Sequence, residues 1–135
     1  MMPAPILDTH VWVWWMLGDS RLPARERVAL DGLPRGSRPA ICDISLWEVA
    51  LLVQGGRLRL EDELQTWLGI AASPATVELL PITAAVVLEM NRLPASFHHD
   101  PADRLIVASA QAAQRPLATH DARIRRSRTV PLWSA

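Results

Sequence analysis

Short apolar runs alternate along this chain with segments of helical spacing, and no other feature restricts its fold as strongly. The runs are four or five residues long, which is typical of buried strands. The predicted strands are Pro3–Leu7, Ala40–Ile44, Thr76–Leu80, Pro116–Thr119 and Thr129–Trp133. Strands that alternate with helices indicate an α/β fold, with a central parallel sheet and helices on both faces.

Residues that favour helix ends mark the limits of the predicted helices. Gly18 and the Gly55-Gly56 pair can end helices, whereas Asp100 as a cap and Pro101 at the first helical position begin one. The predicted helices are Val11–Leu17, Pro23–Leu30, Ser45–Gly55, Glu61–Ala72, Thr83–Leu93, Arg104–Ala113 and a short Asp121–Arg126 segment. The sequence contains no linker, repeat or low-complexity tract, so residues 1–135 are predicted to form a single domain.

The composition of the chain argues against disulfide bonds, secretion and membrane insertion. Half of the 135 residues are apolar and 21% are charged, so the chain can bury a core without disulfides. Cys42 is a single cysteine and cannot form an internal bridge. No segment at the N-terminus resembles a signal peptide, and no uncharged run has membrane-spanning length. We therefore expect a soluble cytoplasmic domain without membrane association.

Arginine supplies the whole basic complement of the chain. Fourteen basic residues balance fourteen acidic ones, and none of the basic residues is lysine. A phosphate-binding P-loop and Schiff-base chemistry both need a lysine, so both are excluded. A Gly-x-Ser-x-Gly nucleophile elbow is also absent. The balanced charge gives no sign of a bulk field that would attract nucleic acid.

Carboxylates follow the predicted strands at four places. These are Asp8 after the first strand, Glu48 after the second, Asp100 with Asp103 at a helix start, and Asp121 after the fourth strand. Ligands of open parallel sheets bind outside the carboxyl ends of the strands, so these acids converge on one edge if the strands are neighbours. Such a cluster repels itself unless protons or cations neutralise it, and oxygen ligands suit Mg²⁺ or Mn²⁺. Two such ions about 3.5–4 Å apart can activate water and stabilise the leaving oxygen of a phosphodiester.

The same carboxylates also have structural explanations. The residues that stand where a side chain can cap the following helix are Asp8, Asp100 and Asp121. Glu48 lies three residues after Ser45, which is the spacing of a capping box. Asp103 lies in a first helical turn, where the helix dipole stabilises a negative charge. The functional interpretation therefore rests on the coincidence of four positions and not on any single acid.

Four segments of the chain stand in the order and spacing of a PIN domain. They are Ile6–His10, Ser45–Ala50, His99–Ile106 and Thr119–Asp121. The most specific piece is the His-x-Asp-Pro-x-Asp-Arg form from His98 to Arg104. The chain resembles PIN domains, and more closely the VapC toxins of bacterial toxin–antitoxin pairs, over nearly its whole length. This resemblance implies a PIN-like three-layer sandwich and Mg²⁺- or Mn²⁺-dependent endonucleolytic cleavage of RNA.

The resemblance implies roles for individual side chains, and the acidic quartet of the family corresponds to Asp8, Glu48, Asp103 and Asp121. The residues expected to bind the metal ion are Asp8, Asp103 and Asp121. Asp100 is either a further ligand, a group that supports one, or a helix cap. Glu48 is expected to support the water network or a second ion. The small hydroxyl residues that orient carboxylates or bound water correspond to Thr9, Ser45 and Thr119.

The implied reaction is attack of water on a backbone phosphodiester, which leaves a 3′-hydroxyl and a 5′-phosphate without a histidine general base. The basic cluster of the chain follows the fourth acid and consists of Arg123, Arg125, Arg126 and Arg128. Its first three members are candidates to bind RNA phosphates, and the alternative is a solvated helix face. The four histidines match no zinc pattern, so we interpret them as loop residues at the edge of the site.

The resemblance implies three partners, which are an RNA substrate, a cognate VapB-type antitoxin and a second copy of the chain in a homodimer. Most of the six tryptophans have core-like helical spacing, but Trp14 is predicted to be exposed. Exposed tryptophan suits either base stacking on RNA or an apolar groove for an antitoxin helix, and we place that groove between the first two helices and the Glu48 helix. Two other functions stay open, a PIN nuclease of RNA processing and an inert PIN-like binding module.

Overall fold

A computed structural model describes residues 3–135 of the chain and shows four short strands in one parallel sheet. The strands are β1 (Ile6–Leu7), β2 (Ala40–Cys42), β3 (Glu78–Leu80) and β4 (Leu117–Ala118). Their order in the sheet is β3-β2-β1-β4, and each neighbouring pair is parallel. β1 therefore lies between β2 and β4. The predicted domain limits include residues 1 and 2, which lie outside the described range.

Seven helices connect and cover these strands within the described residues. They are α1 (Thr9–Leu17), α2 (Ala24–Asp31), α3 (Ile44–Gln54), α4 (Leu64–Ala71), α5 (Ala84–Asn91), α6 (Pro101–Ala113) and α7 (Ala122–Ser127). α6 begins at Pro101 with Asp100 as its cap, as predicted. α4 begins at Leu64 and not at Glu61, because the backbone of Glu63 is still extended. None of the helices between residues 3 and 135 is long and apolar enough to cross a membrane.

Apolar side chains pack on both faces of the sheet. Successive residues of a strand point to opposite faces, so Ile6 and Leu7 of β1 belong to two different core clusters. Leu7 packs in a cluster with residues of α1, α3 and α4, among them Trp12. Ile6 packs in a cluster with residues of α6 and α7, among them Ile106. Helices therefore cover both faces, and the predicted three-layer sandwich is confirmed.

Proline shortens the first and last predicted strands. β1 is shorter than the predicted strand Pro3–Leu7, because the prolines of that segment have no N–H to donate to a ladder. The predicted strand Thr129–Trp133 is reduced to one parallel bridge between Leu132 and Leu117. Pro131 lies inside this segment and interrupts its row of donors in the same way.

The carboxyl ends of β1, β2 and β4 lie at one edge of the sheet, because these strands are parallel and adjacent. Asp8 follows β1 directly, and Thr119 follows β4. α3 begins two residues after β2, and α6 begins at the same edge because it runs back toward the start of β4. The edge at which the predicted acids should converge therefore exists.

Candidate active site

Asp8 stands at the carboxyl end of β1 and is bound through both of its oxygens. Oδ1 accepts the backbone N–H of Val11 at 2.8 Å, which caps α1. Oδ2 accepts the hydroxyl of Thr119, the residue directly after β4. The capping interpretation of Asp8 is therefore confirmed. The buried carboxylate is also fixed against the neighbouring strand, so its direction is set by two elements at once.

Glu48 reaches the same region from α3. Its Oε1 accepts the hydroxyl of Thr9, whose oxygen lies 2.8 Å from the hydroxyl oxygen of Ser45. Thr9 and Ser45 are both buried, and they link α1 to α3. The capping-box interpretation of Ser45 and Glu48 is wrong, because α3 already begins at Ile44 and its cap residue Asp43 makes no side-chain bond to the helix. The Thr9 hydroxyl, which is itself bonded to Ser45, holds Glu48 in place instead.

Asp103 lies in the first turn of α6 and is held by its neighbours on both sides. Its backbone N–H donates to Asp100 Oδ1 at 3.0 Å, so the capping interpretation of Asp100 is confirmed. Its Oδ2 lies 2.8 Å from Nε2 of His98, and the His98 ring stacks on Phe97 with ring centres 4.5 Å apart. The loop before α6 therefore fixes the orientation of the Asp103 carboxylate.

Asp121 caps α7 after β4. Its Oδ1 accepts the backbone N–H groups of Arg123 and Ile124, at 2.9 and 3.0 Å. Its own N–H donates to the Thr119 hydroxyl at 3.0 Å. The guanidinium of Arg123 lies 3.6 Å from Asp103 Oδ2 and 3.7 Å from Asp121 Oδ2. Arg123 thus bridges two carboxylates that come from different helices.

These carboxylates surround one cavity of about 240 Å³ at the carboxyl end of the sheet, here called the acid-lined cavity. The residues that line it are Asp8, Thr9, His10, Glu48, Leu52, Arg57, Asp100, Asp103, Asp121 and Arg123. Every acid that the sequence nominated is therefore at this cavity. Ser45 and Thr119 stand behind the lining, where they bind Thr9 and Asp8.

The arginine cluster takes up two kinds of position. Arg123 and Arg126 line a second cavity of about 290 Å³, and Arg123 borders both cavities. Arg125 instead donates to the carbonyl of Thr119 at 3.0 Å and so supports the end of β4. Of this cluster, Arg123 therefore lies at the acid-lined cavity, and Arg126 lies in the cavity beside it.

Burial raises the pKa of three acids at the acid-lined cavity. The acids whose pKa is raised, with desolvation as the largest cause, are Asp8, Glu48 and Asp103. The hydrogen bond with His98 lowers the pKa of Asp103, but the nearby charges of Asp100 and Asp121 raise it. The cavity thus concentrates more negative charge than its protein surroundings stabilise.

The donors of this cavity fit a hard divalent cation. Carboxylate oxygens dominate the lining, and Mg²⁺ and Mn²⁺ prefer such ligands. One ligand atom from each of His98, Asp103 and Asp121 lies within 4.8 Å of the others. Positive charge at this place offsets the like-charge repulsion that raises the pKa of Asp103. The residues present are therefore compatible with a metal centre.

The sequence-based prediction missed two residues of the site. His98 lies in a loop at the edge of the site, as predicted, but the prediction did not include the bond between its half-buried ring and Asp103. The signal was available, because His98 opens the same motif that ends with Asp103 and its arginine. Arg57 lines the cavity after a turn in which Gly56 has a φ of 69°. No spacing in the sequence connects Arg57 to the acids, so only the folded chain reveals it.

Comparison with known proteins identifies the family. The PIN domain family model matches residues 6–129. The chain therefore belongs to the PIN domain family. It is 35% identical to ribonuclease VapC22 of Mycobacterium tuberculosis over 136 residues, which cover 98% of this chain and 100% of that protein. The resemblance to PIN domains and VapC proteins is thereby confirmed.

Solved structures of toxin–antitoxin complexes share this fold. The crystal structure of VapBC2 from Rickettsia felis bound to a promoter DNA fragment superposes with a TM-score of 0.71 at 20% identity, covering 96% of this chain and 97% of that one. DNA-bound VapBC from Salmonella typhimurium gives a TM-score of 0.68 at 19% identity, covering 98% of each chain. A toxin–antitoxin complex from Klebsiella pneumoniae gives 0.56 at 22% identity, covering 87% of each chain.

Proposed function

We propose that the chain is a Mg²⁺- or Mn²⁺-dependent endoribonuclease and the toxin of a VapBC-type toxin–antitoxin pair. The observation that carries this proposal is the acid-lined cavity, where five carboxylates from four places in the fold meet at the carboxyl end of a parallel sheet. Membership of the PIN domain family and 35% identity to a protein named ribonuclease VapC22 support it. Residues 1–135 would then act as one PIN domain in the cytoplasm.

The metal site in this proposal consists of Asp8, Asp103 and Asp121, with Asp100 at its edge. Bound at these carboxylates, Mg²⁺ or Mn²⁺ supplies an activated water and stabilises the leaving oxygen of an RNA phosphodiester. Glu48 is the fourth acid of the catalytic set, and its carboxylate faces the same cavity. The products expected of this reaction are a 3′-hydroxyl and a 5′-phosphate.

Three hydroxyl side chains act as positioning residues in this proposal. Thr119 donates to Asp8 and accepts from the backbone of Asp121, so one hydroxyl fixes two acids. Thr9 donates to Glu48, and Ser45 holds the hydroxyl of Thr9 in place. All three hydroxyl residues are buried, which protects these bonds from exchange with water. The acids therefore keep their directions before substrate arrives, which is the arrangement that favours catalysis.

The arginines supply the contacts with RNA phosphates. Arg123 stands beside Asp103 and Asp121 and borders the second cavity, where Arg126 is also exposed. A phosphate next to the cleaved one can therefore meet a guanidinium on leaving the acid-lined cavity. Arg125 remains a predicted RNA contact, although its present bond is to the Thr119 carbonyl.

The partners in this proposal are a VapB-type antitoxin and a second copy of the chain. An apolar groove of about 270 Å³ adjoins the acid-lined cavity and lies between α3 and the start of α6, not between the first two helices and the Glu48 helix as predicted. Its apolar lining is Trp47, Leu51, Leu52, Pro101 and Ala102. Trp47 is 56% exposed, so a large apolar surface is available there to bind a partner. The groove shares Glu48, Arg57 and Asp100 with the acid-lined cavity, so an antitoxin segment bound there also blocks the active site.

Cleavage of an end-labelled total-RNA pool tests the function. Wild type is incubated with Mg²⁺ and with EDTA, beside Asp8→Asn and the matched control Asp62→Asn, which removes an exposed carboxylate outside the acid-lined cavity. We expect discrete cuts by wild type and Asp62→Asn in Mg²⁺ only, and none by Asp8→Asn. Cuts of equal strength in EDTA, or by Asp8→Asn, would contradict the proposal.

A further inference from the structure

Flat side chains lead away from the acid-lined cavity along one side of α1. His10 lines the cavity, and its ring centre lies 6.0 Å from that of Trp14. The Trp14 ring centre lies 6.0 Å from that of His120. The guanidinium carbon of Arg21 lies 5.3 Å from the centre of the Trp14 ring. We call these four side chains the stacking row.

The outer members of the stacking row are held by carboxylates. Both oxygens of Glu26 lie near Nε2 of His120, at 2.9 and 3.0 Å. The guanidinium of Arg21 donates to both carboxylate oxygens of Asp19, with 2.8 Å between Nη2 and Oδ2. Glu26 is buried, and His120 is its hydrogen-bonding side-chain partner within residues 3–135. A buried carboxylate requires such a partner, so the exposed His120 ring is kept in a fixed direction.

Trp14 differs from the other two tryptophans of α1, whose indole N–H groups are both hydrogen-bonded. The indole N–H of Trp12 donates to the carbonyl of Ala71 at 3.0 Å, and that of Trp15 donates to Asp31 at 2.9 Å. Within the described part of the chain, the indole N–H of Trp14 has no acceptor, and its ring is half-buried. All three tryptophans pack in or against the core, but the fold uses the indole N–H only of Trp12 and Trp15, so the half-buried Trp14 ring keeps an edge available to a further partner.

We propose that the stacking row binds the bases of single-stranded RNA next to the phosphodiester in the acid-lined cavity. This inference rests on the proposed nuclease function. Aromatic rings and guanidinium groups stack on bases of any sequence, and Arg over an aromatic ring adds a cation–π attraction. His10 belongs to both the cavity and the row, so a strand with one phosphate in the cavity passes directly over the row.

Other surfaces of the molecule are better suited than the stacking row to bind a protein partner. The exposed aliphatic side chains that would suit a protein partner lie outside the stacking row and are spread over several helices, among them Val28, Ile70 and Leu88. The stacking row instead presents rings with polar edges and one guanidinium, which is the composition of a base-stacking surface. Its continuity with the acid-lined cavity, where the proposed nuclease cleaves RNA, favours nucleic acid over a peptide.

Fluorescence anisotropy with two end-labelled decamers tests this inference. One probe is decauridylate, and the other has the same sugar–phosphate backbone without bases. Binding is measured in Ca²⁺, so the result does not depend on turnover. The variants are Trp14→Leu and the control Trp133→Leu, since Trp133 is a half-buried tryptophan that packs on the same core cluster outside the stacking row.

We expect Trp14→Leu to raise the Kd for decauridylate about tenfold and to leave the Kd for the abasic probe unchanged. Trp133→Leu should change neither value. Because Trp14 also touches the core, His120→Ala is measured in parallel at an exposed side chain and should weaken decauridylate binding alone. Thermal melting confirms that each variant is folded.

Several outcomes would overturn the stacking row as an RNA site. They are equal affinity of wild type for the two probes, no binding of either, or equal losses on both probes in Trp14→Leu. The row would then be left to a protein partner. Base-dependent binding without any Mg²⁺-dependent cleavage would instead overturn the nuclease function and leave the row as an RNA-binding surface.

Discussion

Leu7 and Asp8 are neighbours in sequence and are almost equally buried, but burial has opposite consequences for them. Leu7 is 0% exposed and Asp8 is 5% exposed. Burying a leucine side chain stabilises a fold by about 1.5–3 kcal/mol. Burying the Asp8 carboxylate raises its pKa, which means that the folded state disfavours the charge that the site needs. The apolar core and the acid-lined cavity thus meet at one peptide bond, and residues of the two regions should respond differently to substitution.

The largest expected effect on stability lies in the core. Trp12→Ala should lower the free energy of unfolding by about 3–5 kcal/mol, because it leaves a large cavity and removes the buried bond to the Ala71 carbonyl. Urea titration measures this loss. The exposed Trp47→Ala is the matched control and should stay within about 0.5 kcal/mol of wild type. An equal loss in both variants would remove the distinction between the core and the surface.

A positioning residue of the cavity should affect catalysis more than stability. Thr119→Val removes the hydroxyl that holds both Asp8 and the Asp121 backbone, and we expect cleavage to fall about 10- to 100-fold. The Mg²⁺ concentration for half-maximal rate should rise, and KM for RNA should change less than kcat. Thr119→Ser should restore most of the rate. A Thr119→Val protein with normal Mg²⁺ dependence would show that this hydroxyl only supports the fold.

The third expected effect is a gain in stability on removing a charge. In EDTA at neutral pH, Asp8→Asn should melt a few degrees above wild type, because the folded pKa of Asp8 is raised above its ordinary value of 3.8. The destabilisation is fully present above the folded pKa and absent below 3.8, so the difference between the two proteins should shrink as pH falls. Mg²⁺ should raise the melting temperature of wild type alone. A variant that melts below wild type in EDTA would mean that capping of α1 outweighs desolvation.

The smallest expected effect concerns Asp19, whose pKa is shifted in the opposite direction to that of Asp8. Its bonds from Arg21 lower its pKa from 3.8 to about 2, so the folded state favours its charge. The resulting stability is present above pH 3.8 and is lost as pH falls toward about 2. Asp19→Asn should therefore melt slightly below wild type at neutral pH and match it near pH 2. Equal melting temperatures throughout this window would show that solvent screens the pair completely.

The sequence predicts the fold where local rules agree with the tertiary structure. The alternation of short apolar runs and helices predicts the parallel sheet, and the Asp100-Pro101 pair predicts the start of α6. Local rules fail where a single residue interrupts a pattern, as Pro131 does in the last predicted strand. They also fail where a residue binds a partner that is distant in sequence. Glu48 binds Thr9 of α1 and does not cap the start of its own helix.

The candidate site is predictable as a set of acids but not as a geometry. The motif positions identify all of the carboxylates at the cavity. The sequence does not show that Thr119 binds Asp8 and Asp121 together, that Arg123 bridges two acids, or that Arg57 reaches the lining. Each of these contacts depends on elements that come together only in the folded chain.

The bond between Asp8 and Thr119 joins residues that are 111 positions apart. Asp8 therefore leaves the ribosome long before Thr119 and Asp121. Until β4 has been synthesised and paired with β1, Asp8 lacks the hydroxyl that orients it and the cavity lacks one of its walls. A chain interrupted before β4 therefore carries an incomplete site, so the proposed nuclease becomes competent only after β4 and Asp121 have been made.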